Sequence, residues 1–163
     1  DVSGSVAAVA RFLLLFLYSL NEVLPKVRSF AFSGTLGEVT DLFDRYGPEE
    51  AVPMAIDEYG GRSTDYGQAM VDLKELVFDE IDNRTTVIFL GDGRSNGSDP
   101  RADILKEIKQ RAKRVIWLNP ERKSIWGSGD SEMPRLAPYC TTAETCNSLN
   151  KLELIIRDLL KSS

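Results

Sequence analysis

The sequence predicts a three-layer α/β/α fold built on a mostly parallel β-sheet. Residues 85–90 and 114–118 are almost uniformly apolar and rich in β-branched side chains, which is typical of strands that are buried on both faces. Longer stretches with apolar residues at helical spacing separate these runs. This alternation indicates a parallel sheet with helices on both faces, and 163 residues suit a single domain over residues 1–163.

The helical segments follow from the spacing of the apolar residues. Residues 6–24 are mostly apolar and end before Pro25, so we expect a helix that is buried on most of its faces. Its uninterrupted apolar run is shorter than the roughly 20 residues that cross a bilayer, so membrane insertion is not expected. Further helices are predicted for residues 49–58, 67–81, 102–113 and 148–161. The last is expected to bury Leu149, Leu152, Ile155, Ile156, Leu159 and Leu160.

The remaining strands carry weaker signals. Residues 26–32 alternate polar and apolar side chains, as half-buried strands do. The turn at residues 33–34 lets residues 36–43 pair back, which predicts one antiparallel edge strand. Residues 138–145 are the candidate last strand, and residues 120–137 are predicted to be irregular.

Composition excludes several classes of function. The net charge of −5 argues against broad nucleic-acid binding, because such proteins need a basic face. The chain has no histidine, so zinc sites built on imidazole and histidine-dependent catalysis are both unavailable. Cys140 and Cys146 are too far apart for a disulfide if the segment between them is extended. They are interpreted as free thiols, which fits a cytoplasmic location.

In parallel sheets the functional site lies past the carboxyl ends of the strands. That rule points to loop one (residues 1–5), loop two (residues 60–65) and loop three (residues 91–96). Loop one has the form of a turn at the end of a strand, yet the sequence shows no strand before Asp1. We therefore expect a first strand that is missing from the sequence, apolar and in the middle of the sheet.

These loops are rich in hard oxygen donors. Asp1, Ser3 and Ser5 alternate, so a turn can aim them at one point, while Thr64 comes from loop two and Asp92 from loop three. Carboxylates and hydroxyls are ligands that suit Mg²⁺, which prefers octahedral oxygen coordination. Neutral hydroxyl ligands would leave the ion electrophilic toward a carboxylate from a partner protein.

At this point the residues resemble a known family. The motif of residues 1–5, Asp-Val-Ser-Gly-Ser, together with Thr64 and Asp92, looks like the metal-ion-dependent adhesion site (MIDAS) of von Willebrand factor type A (VWA) domains. The resemblance implies a Rossmann-like fold and a site for Mg²⁺, Mn²⁺ or Ca²⁺. It implies that Ser3, Ser5 and Thr64 contact the metal directly and that Asp1 and Asp92 act through water.

Loop two departs from the family pattern. The commoner form is Gly-Gly-Thr-Asp, but Arg62 and Ser63 intervene here. Either Ser63 or Thr64 is therefore a candidate ligand, and Asp65 is a further alternative.

A narrower resemblance covers nearly the whole chain. Residues 114–120 (Arg-Val-Ile-Trp-Leu-Asn-Pro), 12–18 and 27–33 are similar to bacterial CoxE-like proteins. That resemblance implies a protein without catalytic activity of its own. It would act as an adaptor with a MoxR-type AAA+ ATPase in the maturation or assembly of a metalloenzyme.

The same residues are compatible with two further hypotheses. Asp and Ser favour helix N-caps, and Asp92 followed by Gly93 favours a turn, so the loops could form a metal-free scaffold. Alternatively, residues 91–93 resemble the Gly-Asp-Gly of haloacid dehalogenase-type phosphatases, in which Asp1 would be the nucleophile. Ser3 and Asn96 stand where such enzymes have carboxylates, which argues against a phosphatase.

Overall fold

The computed structural model describes residues 1–3 and 7–162. The helices are α1 (Ala7–Val23), α2 (Thr40–Arg45), α3 (Pro48–Tyr59), α4 (Tyr66–Val77), α5 (Ala102–Arg111), α6 (Met133–Leu136) and α7 (Leu149–Lys161). The strands are β1 (Phe30–Phe32), β2 (Leu36–Glu38), β3 (Thr86–Leu90), β4 (Arg114–Asn119) and β5 (Thr142–Thr145). Short 3₁₀ turns cover Phe78–Glu80, Lys123–Ile125 and Ala137–Tyr139.

The strands form a parallel group and an antiparallel pair. β3, β4 and β5 lie side by side in that order and run parallel. β1 pairs with β2 in antiparallel register, with Ala31 opposite Gly37. The α/β fold with a mostly parallel sheet and an antiparallel edge is therefore confirmed.

Asp1 and Val2 lie between the two groups of strands. The Val2 amide donates to the Phe32 carbonyl at 2.8 Å, and the Asp1 amine donates to the Leu90 carbonyl at 2.9 Å. Successive residues that bond to opposite sides are typical of a strand inside a sheet. At the level of Asp1 and Val2, the interval between β1 and β3 therefore has room for one strand. We call this interval the slot.

The slot continues as a cavity of about 730 Å³. Its walls are mainly apolar side chains from α1, α4, β1 and β3, including Leu14, Met70, Phe32 and Val87, with some charged residues such as Arg28 also in the lining. This cavity explains a departure from the sequence prediction. Residues 86–89 of β3 are only half-buried, whereas residues 115–119 of β4 are buried, because β4 has a neighbouring strand on each side and β3 faces the slot.

The first helix packs against both groups of strands. Leu14 of α1 lies in a core with β1, α2 and α3, while Phe16 and Leu20 lie in a second core with β3, β4 and α7. Within residues 1–3 and 7–162, we find no helix that combines the length and apolar character needed to cross a membrane.

Four predictions of secondary structure are wrong in part. Residues 40–43 belong to α2 rather than to a hairpin strand, because the Thr40 hydroxyl accepts from the Ser29 amide and ends the pairing. Residues 26–29 precede β1, and the last strand begins only at Thr142. The segment 120–137 is not wholly irregular, since it contains a 3₁₀ turn and α6.

The apolar face of α7 is narrower than predicted. Leu152 and Leu159 are buried, but Leu149 and Leu160 are 62% and 47% exposed. Only one stripe of the helix therefore reaches the core, with Ile155 and Ile156 partly buried against it.

Candidate metal site

Loop one and loop two meet through their hydroxyl groups. The Ser3 hydroxyl donates to Asp1 Oδ1, and the Thr64 hydroxyl donates to the Ser3 hydroxyl. The Ser3 amide also donates to Asp1 Oδ1, at 3.0 Å. The fold therefore brings together three of the predicted site residues, although Thr64 lies 61 positions after Ser3 along the chain.

The neighbours of Thr64 face elsewhere. The Ser63 residue is exposed, and its hydroxyl lies 3.4 Å from the side-chain amide nitrogen of Asn96. Asp65 is the N-cap of α4, and its Oδ1 accepts from the Gln68 amide at 2.9 Å. Of the hydroxyls in loop two, it is thus Thr64 that contacts loop one. Ser5 lies outside the described residues.

Asp92 sits in loop three at the end of β3. Its Oδ1 accepts from the Arg94 amide at 2.9 Å, and its carbonyl accepts from the Asn119 side chain at 2.9 Å. Burial raises the pKa of the Asp92 carboxyl, and the nearby charge of Glu121 adds to that rise. A cation beside Asp92 would offset this unfavourable environment.

Tyr66 is a further residue of the candidate site, which the sequence patterns do not predict. Its hydroxyl donates to Asp1 Oδ2 at 2.7 Å and accepts from the Gly93 amide at 3.1 Å. The side chain is 1% exposed. Its position in the sequence is the one feature that points to the site, because it directly follows Thr64 and Asp65 at the first turn of α4.

Aromatic packing fixes the Tyr66 ring. It makes an edge contact with Phe32 at 5.0 Å between ring centroids and a tilted contact with Trp117 at 5.6 Å. Burial raises the pKa of Tyr66 well above its usual range, with a further contribution from the charge of Asp92. The hydroxyl is therefore protonated at neutral pH and available as a donor.

Gly91 leaves room for this arrangement. A Cβ atom at this position would lie 2.1 Å from the Tyr66 hydroxyl and 2.8 Å from Asp1 Cβ. The Gly91 carbonyl accepts from the Trp117 indole at 2.9 Å. A glycine is needed here because the side chains of loop one and α4 approach the backbone of loop three too closely for any other residue.

The donor set suits a hard divalent cation. It consists of the hydroxyls of Ser3 and Thr64 and the carboxylates of Asp1 and Asp92, all of which are oxygen ligands. Among residues 1–3 and 7–162, there is no group of three or more His, Cys, Asp or Glu side chains placed to hold a metal ion. Any metal at this site would therefore depend on hydroxyl groups as much as on carboxylates.

Comparison with known proteins places the sequence in one family. The matching family model is described as VWA domain containing CoxE-like protein, and the match covers residues 1–155. All three loops lie inside that range. No curated protein matches the sequence.

Proposed function

Because the chain belongs to the family of VWA domains found in CoxE-like proteins, we propose that it is a divalent-metal-dependent protein-binding module with a MIDAS-type site. The family supports a metal-dependent interaction module in general. One observation carries the assignment to these residues. The hydroxyls of Ser3 and Thr64 contact each other across two loops, with the Asp1 carboxylate directly behind them.

The residues divide into direct and indirect ligands. In this proposal Ser3, Ser5 and Thr64 bind the metal directly, while Asp1 and Asp92 act through water. The hydrogen bonds support an indirect role for Asp1, because both of its carboxylate oxygens already accept from other groups. Mg²⁺, or Mn²⁺ or Ca²⁺ in its place, would supply Lewis acidity toward an incoming carboxylate.

The charge of this donor set favours a protein partner. Hydroxyl ligands carry no charge, so the ion keeps most of its own charge and attracts an anion to an open position. A Glu or Asp side chain from a partner supplies that anion. VWA domains are generally non-catalytic, and the proposed role of this chain is recognition without chemical turnover.

The resemblance to CoxE-like proteins motivates a proposal for the setting of this recognition. We place the chain in the cytoplasm as an adaptor for a MoxR-type AAA+ ATPase in metalloenzyme maturation or assembly. Binding of the purified ATPase should then require Mg²⁺ and be abolished by EDTA. Binding that is unchanged by EDTA would argue against a metal-bridged contact.

Calorimetry with Mg²⁺ and Mn²⁺ tests the metal site itself. We expect the unchanged protein to bind one ion and the variant Ser3→Ala with Ser5→Ala to lose binding. A matched control, Ser19→Ala with Ser162→Ala, removes two hydroxyls that bond to helix carbonyls away from the loops and should bind as before. No binding by the unchanged protein, or equal binding by the site variant, would contradict the proposal.

A separate assay distinguishes the phosphatase alternative. A metal-binding adaptor should not hydrolyse p-nitrophenyl phosphate above background. Turnover that disappears in Asp1→Asn would instead identify Asp1 as a nucleophile and would contradict the non-catalytic role.

A further inference from the structure

We propose that Tyr66 is a positioning residue for the metal site, through a hydroxyl that holds the Asp1 carboxylate and loop three in one fixed arrangement. The inference rests on the proposed metal-binding function. It assigns a role to a residue that is neither a carboxylate nor a metal ligand.

The direction of each hydrogen bond around Tyr66 is determined by its partners. A backbone amide can only donate, so the Tyr66 oxygen must accept from Gly93. An ionised carboxylate can only accept, so the Tyr66 proton must point to Asp1 Oδ2. The Tyr66 hydroxyl therefore links loop one to loop three, because it donates one hydrogen bond and accepts another.

The same network continues to the candidate ligands. Asp1 accepts from Tyr66 through Oδ2 and from Ser3 through Oδ1. Ser3 in turn accepts from Thr64, which lies two residues before Tyr66. The hydrogen bonds thus close a ring through the backbone of residues 64–66. Because Oδ2 is held by Tyr66, the Asp1 carboxylate cannot rotate, and Oδ1 keeps the Ser3 hydroxyl in one orientation.

The surroundings allow the hydroxyl to be removed without moving the ring. Phe32 and Trp117 contact the aromatic ring, and Gly91 leaves space at the hydroxyl end. In Tyr66→Phe these contacts remain, while Asp1 Oδ2 and the Gly93 amide lose their partner. The expected defect is therefore in the alignment of Asp1 and Ser3 rather than in the fold.

Mn²⁺ titration of Tyr66→Phe tests this inference. Loss of a group that orients metal ligands typically weakens metal binding about 10- to 100-fold, and we expect that range here. The control is Tyr18→Phe, which removes an exposed hydroxyl that donates to the Tyr46 carbonyl at 3.3 Å and should leave affinity unchanged. Equal affinity in Tyr66→Phe and the unchanged protein would overturn the inference while leaving the proposed function intact. Absence of Mn²⁺ binding in the unchanged protein would overturn both.

A double-mutant cycle distinguishes a positioning role of Tyr66 from a general loosening of the metal site. If Tyr66 acts through Asp1, then Asp1→Asn should reduce affinity much less in the Tyr66→Phe background than in the unchanged protein. If the two substitutions weaken Mn²⁺ binding by independent factors that multiply, the inference is overturned.

A second measurement does not depend on the folding of any variant. The NMR resonances of the Tyr66 hydroxyl proton and the Gly93 amide should shift as Mg²⁺ is added. Resonances that stay in place while Mg²⁺ binds would also overturn it.

Discussion

The guanidinium of Arg94 forms a two-point ion pair with the carboxylate of Glu121, with nitrogen–oxygen distances of 2.9 and 3.0 Å. Both side chains are about a quarter exposed, at 23% and 24%. The same guanidinium donates to the Ser128 carbonyl at 2.9 Å and to Asp130 at 3.0 Å. Arg94 therefore ties loop three to the segment that follows β4.

Replacing Arg94 with alanine should loosen that segment. Hydrogen bonds to charged groups contribute about 1.5–3 kcal/mol each when buried, and partial exposure reduces this, so we expect Arg94→Ala to lower the free energy of unfolding by about 2 kcal/mol. Urea unfolding measures the change. Trypsin should also cleave faster after Arg122 and Lys123, which directly follow Glu121 in the chain.

A surface arginine provides the control for that experiment. Arg84 pairs with Asp82, but its side chain is 88% exposed, so Arg84→Ala should leave both unfolding and cleavage of the 120–131 segment unchanged. If the two variants behave alike, the network around Arg94 does not stabilise the segment.

Gly91→Ala should disturb the site more than the addition of a single methyl group suggests. The added methyl would lie 2.1 Å from the Tyr66 hydroxyl and 2.8 Å from Asp1 Cβ, so the backbone or both side chains must move. We expect a loss of about 1–3 kcal/mol in the free energy of unfolding, as for overpacked cores, together with weaker Mn²⁺ binding. Gly34→Ala is the matched control, because its Cβ would meet only the Arg62 side chain at ordinary contact distance, 3.5 Å. Similar losses in both variants would exclude a specific effect at Gly91.

Part of this architecture can be predicted from local sequence patterns. β3 and β4 carry continuous apolar runs, and the oxygen-rich loops follow directly from the strand-end rule. Loop two illustrates the limit of that rule. The sequence predicts Thr64 as the ligand but keeps Ser63 as an alternative, and only the path of the backbone shows that Thr64 contacts Ser3.

Other features depend on contacts between distant segments. Tyr66 could not be identified from spacing, because its role requires that the first turn of α4 face Asp1 and Gly93. The exposure of Leu149 and Leu160 depends on how much of the sheet α7 covers. A periodic apolar pattern gives the side of a helix that is buried, but not the width of the buried stripe.

The Cys140 thiol should make stability depend on pH in the alkaline range. Burial raises its pKa from 9.0 to about 11, although the charge of Lys109 opposes that rise. The unfolded chain therefore loses this proton before the folded one, so stability is unaffected below pH 9 and falls as the pH rises from 9 to 11. A shift of this size corresponds to about 3 kcal/mol.

Urea unfolding at about pH 8 and about pH 11 measures this effect against Cys140→Ala. The variant lacks the titrating thiol, so its stability should fall less between the two pH values. Cys146, which is also a buried free thiol, is present in both proteins and cancels in the comparison. Equal losses of stability would show that Cys140 is not protected in the folded state.

An apolar strand joined to Asp1 should fill the slot between β1 and β3. Asp1 and Val2 already bond to Leu90 and Phe32 on opposite sides, so an extension from Asp1 would start between β1 and β3. The cavity of about 730 Å³ is lined mainly by apolar side chains. Since each fully buried Val or Ile contributes about 1.5–3 kcal/mol, we expect about five added Val and Ile residues to raise the free energy of unfolding by at least about 3 kcal/mol.

The comparison needs an extension of equal length made of Gly and Ser. Burial lowers the pKa of the Asp1 amine to about 5, and either extension converts that amine into a peptide group, so this contribution is the same in both chains. The difference in urea unfolding between the two extended chains then isolates the burial of apolar side chains in the slot. Protection of the β3 amides from hydrogen exchange should increase only with the apolar extension, because residues that alternate along β3 would gain a partner strand. Equal stability and equal protection would mean that the slot does not bury an added apolar strand.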